Sequence, residues 1–153
     1  MNSIDAGVVG ASGLTGSELV RWLSEHPDFN VEVITSRKYS GTPIEQEYPV
    51  FSGRVNLTFQ EPDLEQLRQL DLLFVAVPHG KSMDYVQRLD LDDLHVVDLG
   101  ADYRLPDTDL FESVYEEEHT DSETLSRAEY GLPEYRKDAI REARLVANPG
   151  CYA

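Results

Sequence analysis

Apolar residues fall along the chain in two alternating patterns, short β-branched runs and stretches with helical spacing. Residues 4–9 are a short apolar run with two adjacent valines, and glycine and then a helical pattern follow directly, which predicts a buried strand. Residues 14–26 place Leu19, Trp22 and Leu23 at helical spacing, with Glu18, Arg21 and Glu25 on the other face, and Pro27 stops the pattern. A helix packed on the surface is expected there. Residues 31–35 alternate and are β-branched, as a second strand would be. The polar stretch 36–54, punctuated by Gly41, Pro43, Pro49 and Gly53, reads as loop. Residues 57–59 are expected to form a short strand, and 63–70 a helix opening on its own acidic cap. Residues 72–77 are the most apolar run of all, a central parallel strand buried on both faces and ended by Pro78. A helix over 82–89, a strand over 95–99 and a last strand over 144–147 complete the pattern. Residues 107–121, acidic and aromatic with the run Glu116-Glu117-Glu118, show no period and read as irregular. Strands alternating with helices predict an α/β fold with a Rossmann-type, doubly wound, mostly parallel sheet. No repeat or linker divides the sequence, so 1–153 reads as one domain or part of one.

Composition narrows the partners. The 153 residues carry 29 acidic and 13 basic side chains, a formal net charge of −16, and show no basic stripe with which to displace counterions from nucleic acid. No apolar run approaches the ~20 residues of a membrane span, and the start lacks a charged segment followed by an apolar one, so a cytoplasmic protein is expected. The single cysteine, Cys151, excludes an internal disulfide and any multi-cysteine metal site, and no metal is expected. Only Lys38, Lys81 and Lys137 are lysines. A lysine-poor acidic surface suits a very salty cytoplasm, where self-repulsion is screened, and an ordinary acidic protein fits equally.

The strand-to-helix junction reads Gly10-Ala11-Ser12-Gly13-Leu14-Thr15-Gly16, with glycines every third residue. A pyrophosphate reaches a helix N-terminus only where side chains leave room, and free backbone N–H groups there favour an anion. These residues are the candidate dinucleotide turn, although the spacing is GxxGxxG and a plain tight turn would also use glycine. An acidic residue at the end of the second strand would select NAD through the ribose hydroxyls. The sequence there is Ser36-Arg37-Lys38, two cations and a hydroxyl, which suits the 2′-phosphate of NADP(H); a solvated loop is the plainer alternative. Pro78-His79-Gly80 follows the central strand at the edge where ligands of such folds sit, and His79 is the histidine placed nearest the nicotinamide or, equally, a structural turn residue. His26, His95 and His119 read as structural or surface residues. Asn148-Pro149-Gly150-Cys151 follows the last strand, which puts the thiol on a turn where a nucleophile belongs; a helix beginning just after it would raise the thiolate fraction. A lone cysteine is otherwise a small apolar core residue.

Five stretches together resemble the N-terminal half of the N-acetyl-γ-glutamyl-phosphate reductase family, which serves arginine biosynthesis with NADP(H). They are the turn at residues 10–16, Thr35-Ser36-Arg37, Pro78-His79-Gly80, Asp98-Leu99-Gly100-Ala101-Asp102-Tyr103-Arg104-Leu105, and Tyr130-Gly131-Leu132-Pro133-Glu134 followed by Asn148-Pro149-Gly150-Cys151-Tyr152. The resemblance implies that Cys151 attacks a phosphorylated side-chain carboxyl, expels phosphate and leaves a thioester for reduction to a semialdehyde. It implies Asp98, Asp102, Arg104 and Asn148 as substrate-lining residues, the first three on the loop after the 95–99 strand, with Arg104 an anion contact; a buried Asp-Arg pair explains them equally well. It also implies a second catalytic and dimerisation domain, with a histidine acid/base, that this sequence does not contain. The chain is then expected to be part of a longer, homo-oligomeric enzyme and inactive alone. Residues 35–41 and 78–80 also resemble an archaeal branch that reduces glutamyl or aminoadipyl phosphates held on a small acidic amino-group carrier protein, in lysine and arginine synthesis. A carrier would meet Arg37, Lys38 and Arg54, or Arg136, Lys137, Arg141 and Arg144. Two other readings stay open: an aspartate-semialdehyde dehydrogenase-like enzyme, with other residues expected around the thiol, and a non-catalytic nucleotide-binding module. A short-chain reductase is excluded, since none of the eight tyrosines has a lysine four residues on.

Overall fold

The computed structural model describes residues 3–153, and the Met1-Asn2 start used in reading the N-terminus lies outside them. The chain divides into two compact units, one ending at Ala76 and one beginning at Val77.

The first unit holds β1 (Ile4–Val9), α1 (Leu14–Glu25), β2 (Phe29–Thr35), α2 (Ile44–Glu47), a 3-10 turn (Pro49–Phe51), α3 (Leu64–Leu67) and β3 (Leu72–Val75). β1 lies between β2 and β3 and is parallel to both, with Val8 opposite Ile34 on one side and Phe74 on the other. Four consecutive residues of β1, Ala6 to Val9, are buried, as expected of a strand covered on both faces. Val8, Ala11, Val20, Leu23, Ile34, Ile44, Phe51 and Phe59 form the core. α1 turns Gly16, Val20 and Leu23 inward. Trp22, expected on the inner face, is instead 61% exposed, with the Arg21 guanidinium 4.6 Å over its ring. The inner stripe starts from Gly16, where the helix presses against the turn, and that phase leaves Trp22 outside.

The stretch 36–54 is loop only in part, because α2 and the 3-10 turn bury Ile44 and Phe51. Residues 57–59 form no strand. Thr58 makes an isolated antiparallel bridge to Pro43, Gln60 a parallel one to Thr35, and the segment is pinned by the fully buried Phe59. The acidic cap before α3 is present, since Asp63 accepts the Glu65 N–H at 3.0 Å.

The second unit holds α4 (Met83–Val86), β4 (His95–Asp98), α5 (Thr108–Tyr115), α6 (Ser122–Leu125), β5 (Ala128–Tyr130), α7 (Pro133–Glu142) and β6 (Leu145–Ala147). β6 runs parallel to β4 and to β5, so that Asp98, Ala147 and Tyr130 stand abreast where the three strands end. The 99–104 loop and the cysteine turn therefore leave the same edge. Residues 107–121 are irregular only from 116 on: Asp107 accepts the Leu110 N–H at 2.8 Å to open α5, Phe111 is buried, and Glu116 closes the helix at φ 57°. β5 and α7 were not expected. Every strand ladder within each unit is parallel. Among the described residues no helix is long and apolar enough to cross a membrane.

Candidate active site

The glycine turn is built by two different constraints. Gly10 has φ 82°, which L side chains rarely adopt. Gly16 is needed for space, because a Cβ there would lie 2.3 Å from the Gly10 carbonyl oxygen and 2.7 Å from the Ala11 Cα. The helix therefore starts in contact with the end of β1. Gly13 is the residue before the helix; a Cβ there would meet only the Gly10 carbonyl, at 3.5 Å, and no side chain caps the helix. The Leu14, Thr15 and Gly16 N–H groups find no acceptor among the described residues, and Leu14 is 87% exposed. A phosphate needs open donors at a helix start, and these residues supply them.

Hydrogen bonds tie this turn to the end of β2. Ala11 N–H donates to the Thr35 carbonyl at 3.0 Å, and the Ser12 and Ser36 hydroxyls lie 2.7 Å apart. Tyr48, missed in the sequence, donates its OH to the Ser12 carbonyl at 2.7 Å. Ser36 is thus a buried fastener, while Arg37 and Lys38 beyond it are exposed. Arg37 makes no hydrogen bond or ion pair among the described residues. Lys38 donates to the Tyr39 OH at 2.7 Å, and that bond raises its pKa. The first unit can hold a dinucleotide with the residues present: open amides at one point of the turn and two cations past the end of β2.

In the second unit the predicted substrate-lining carboxylates are internal. Asp102 is fully buried, with Oδ1 accepting the Gly80 N–H at 2.7 Å. Its Oδ2 accepts the Ser82 N–H at 2.9 Å, the Ser82 hydroxyl at 2.7 Å and the Met83 N–H at 3.3 Å. Asp98 is the last residue of β4 rather than part of the loop; it too is fully buried, and its Oδ1 accepts the Gly100 N–H at 2.9 Å while Oδ2 has no partner. Burial pushes the Asp98 carboxyl up to about 6, against the Gly100 N–H, which lowers it; the Asp102 charge adds to the rise, and Ser82 and Arg104 reduce it. Neither carboxylate has a surface to offer a substrate. Arg104 pairs with neither of these carboxylates. Arg104 donates Nε–H to the Asn148 carbonyl at 2.7 Å and Nη2–H to the Leu99 carbonyl at 2.9 Å.

These bonds shape the cysteine turn. Asn148 N–H donates to the Asp98 carbonyl at 2.8 Å, and its side-chain amide folds onto the Pro149 carbonyl at 3.1 Å. A Cβ on Gly150 would lie 3.6 Å from Arg104 Nη1, which makes no hydrogen bond among the described residues. Cys151 follows, exposed, in a turn closed by the Ala153 N–H on the Gly150 carbonyl at 3.2 Å. Pro78 and His79 are exposed on their own loop; the His79 Nε2 is 3.9 Å from Glu117 and its ring 5.7 Å from that of Tyr115. His119 is buried as a structural residue, while His26 and His95 lie at the surface.

A family model described as the semialdehyde dehydrogenase NAD-binding domain matches residues 5–143, and the chain belongs to that family. Within it, the chain is 48% identical over 149 residues to the N-acetyl-gamma-glutamyl-phosphate reductase of Alkalilimnicola ehrlichii, 47% to that of Marinobacter nauticus and 46% to that of Acidithiobacillus ferrooxidans. Each match takes in 97% of this chain and 43% of the relative, so the chain spans less than half the length of these relatives. Aspartate semialdehyde dehydrogenase with NADP from Candida albicans matches with a TM-score of 0.59 and 18% identity, over 97% of this chain and 43% of that one. Aspartate semialdehyde dehydrogenase II from Vibrio cholerae, complexed with ASA, gives 0.62 and 16%, over 99% and 43%. The fold is the expected Rossmann-type α/β domain.

Proposed function

We propose that this chain is the NADP-binding, cysteine-bearing part of a reductase that converts an N-acetylated γ-glutamyl phosphate to its semialdehyde in arginine biosynthesis. The observation that carries the reading is Arg104. Its guanidinium is held by two backbone carbonyls and no carboxylate, and Nη1 is left with an open hydrogen-bonding capacity beside Gly150, next to the exposed Cys151. A fixed cation beside a thiol suits an acyl phosphate, whose phosphoryl group is a dianion and a good leaving group. The Cys151 sulfur attacks the acyl carbon, the carbon–oxygen bond to phosphate breaks, and the departing phosphate keeps the electron pair while Arg104 neutralises it. A thioester on Cys151 remains. NADPH, when bound, would supply the hydride for this thioester; breaking the carbon–sulfur bond then returns the thiolate to Cys151 and releases the aldehyde. The glycine turn binds the pyrophosphate, and Arg37 and Lys38 take the 2′-phosphate.

Relatives at 46–48% identity support this substrate over aspartyl phosphate, because the aspartate semialdehyde dehydrogenases resemble the chain in fold at 16–18% identity. The free N-acetyl substrate is also favoured over a carrier-linked one or a lysine-pathway analogue. The basic residues a carrier would meet are partly spent, Arg136 on Glu129 at 2.6 Å and Arg141 on Asp138 at 3.6 Å. The test is alkylation of Cys151 by iodoacetamide in rising inorganic phosphate. At a phosphate concentration about ten times its Kd the rate should fall about tenfold in the wild-type chain and stay unchanged in Arg104→Leu. A rate indifferent to phosphate in both would leave a nucleotide-binding module as the better reading.

A further inference from the structure

Three consecutive side chains, Asp102, Tyr103 and Arg104, reach three different segments of the second unit. Asp102 collects four hydrogen bonds from Gly80, Ser82 and Met83. Tyr103 donates its OH to Asp121 at 2.7 Å, and Arg104 grips the Asn148 carbonyl. The main chain of Asp102 is fixed as well. Asp121 N–H donates to His119 Nδ1 at 3.3 Å, so the ring proton sits on Nε2, which donates to the Asp102 carbonyl at 2.8 Å. Gly80 has φ 72°, and the loop keeps that conformation with its N–H turned onto Asp102 Oδ1. All these groups except His79 and the cysteine turn are buried or half-buried. A carboxylate with four inward donors and no route to solvent is not a binding group. It sets the shape of whatever supplies the donors.

We propose that Asp102 is a positioning residue that holds the His79-Gly80 loop in register with the Arg104-braced turn carrying Cys151. The loop that bears His79 and the turn that bears the thiol are both anchored on residues 102–104, so neither can shift without breaking bonds to the same short segment. This rests on the functional reading above, in which the reduced carbon is held on Cys151. Asp102 touches neither substrate nor cofactor; it acts through the 78–83 loop. Its loss should therefore separate two properties. Affinity for the dinucleotide comes from the glycine turn of the first unit and should persist, while shielding of the thiol, which depends on the 78–83 loop and the cysteine turn standing in register, should be lost.

The experiment uses this chain with NADP+ as the probe and reads both properties. Fluorescence titration gives the Kd, and iodoacetamide gives the rate at Cys151 with and without saturating NADP+. In the wild-type chain bound NADP+ should slow alkylation about tenfold. In Asp102→Asn, where an NH2 group must face donors, Kd should stay within about threefold while protection falls below about twofold. Ser82→Ala removes one of the four donors and leaves Asp102 Oδ2 with two N–H groups; it is the variant of record if Asp102→Asn does not fold, and its protection should fall about threefold. Full protection in a folded Asp102→Asn, or in Ser82→Ala where the first variant is unfolded, overturns the proposal. A parallel loss of affinity and protection also overturns it, since that is the pattern of general destabilisation. Wild-type chain that binds NADP+ without any protection of Cys151 overturns the underlying functional reading, and the proposal with it.

Discussion

Burial makes the charge on Asp98 costly at neutral pH, and the cost can be measured. Its side chain is fully buried, one oxygen has a single N–H partner, and the other has none. Burial raises its pKa from 3.8 to about 6. A group whose folded pKa is raised binds its proton more tightly folded than unfolded, so its contribution to stability is complete below pH 3.8 and is lost as pH rises through about 6. The rise is about 2 units, which at 1.36 kcal/mol per unit is on the order of 3 kcal/mol lost by pH 8. Asp98→Asn keeps an oxygen for the Gly100 N–H and has no proton to lose. The stability of the variant minus that of the wild type should therefore increase by about 2.5 kcal/mol between pH 4 and pH 8. Taking this difference removes the general pH dependence of a chain of charge −16, which both proteins share. Urea unfolding followed by far-UV circular dichroism is the suitable assay, because the one tryptophan, Trp22, is 61% exposed and lies in the other unit. A difference that is flat across this range, or that falls, would refute the reasoning.

Gly16→Ala forces a methyl group into backbone atoms of Gly10 and Ala11; it should cost about 1–3 kcal/mol in thermal unfolding and weaken NADPH by at least about tenfold, and wild-type binding would show that the tight turn is not the phosphate site. Arg37→Glu should weaken NADPH about tenfold more than NADH in parallel titrations, and equal losses would remove the 2′-phosphate from Arg37. The melting temperature of the chain should rise in molar KCl, where the Debye length is ~3 Å and repulsion among the excess acidic residues is screened. A melting temperature that does not rise would dispose of adaptation to a salty cytoplasm.

What was legible in the sequence follows from how each segment is covered. β1, β3 and β4 are short runs made mostly of buried and half-buried residues, and a run of that kind needs no partner to be recognised. α7 buries nothing and so carries no apolar stripe, while α5 turns only Phe111 fully inward and leaves Leu110 and Val114 exposed. A period needs at least two inward residues on one face, and these helices lack it. The candidate site divides in the same way. The glycine turn and the cysteine turn were visible because each directly follows a strand, and local order places them. The roles of Asp98 and Asp102 were not, because their donors lie elsewhere in the sequence. Gly80 and Ser82 precede Asp102 by 22 and 20 residues, and nothing in Asp-Tyr-Arg marks which of its charges faces inward. An aspartate and an arginine two residues apart look like a pair, or like two ligands for one substrate. In the folded chain the aspartate is consumed by amide and hydroxyl donors and the arginine by carbonyls. The arginine alone retains an unused donor toward the thiol, and this asymmetry separates the residue that can meet an anion from the residue that holds the loop.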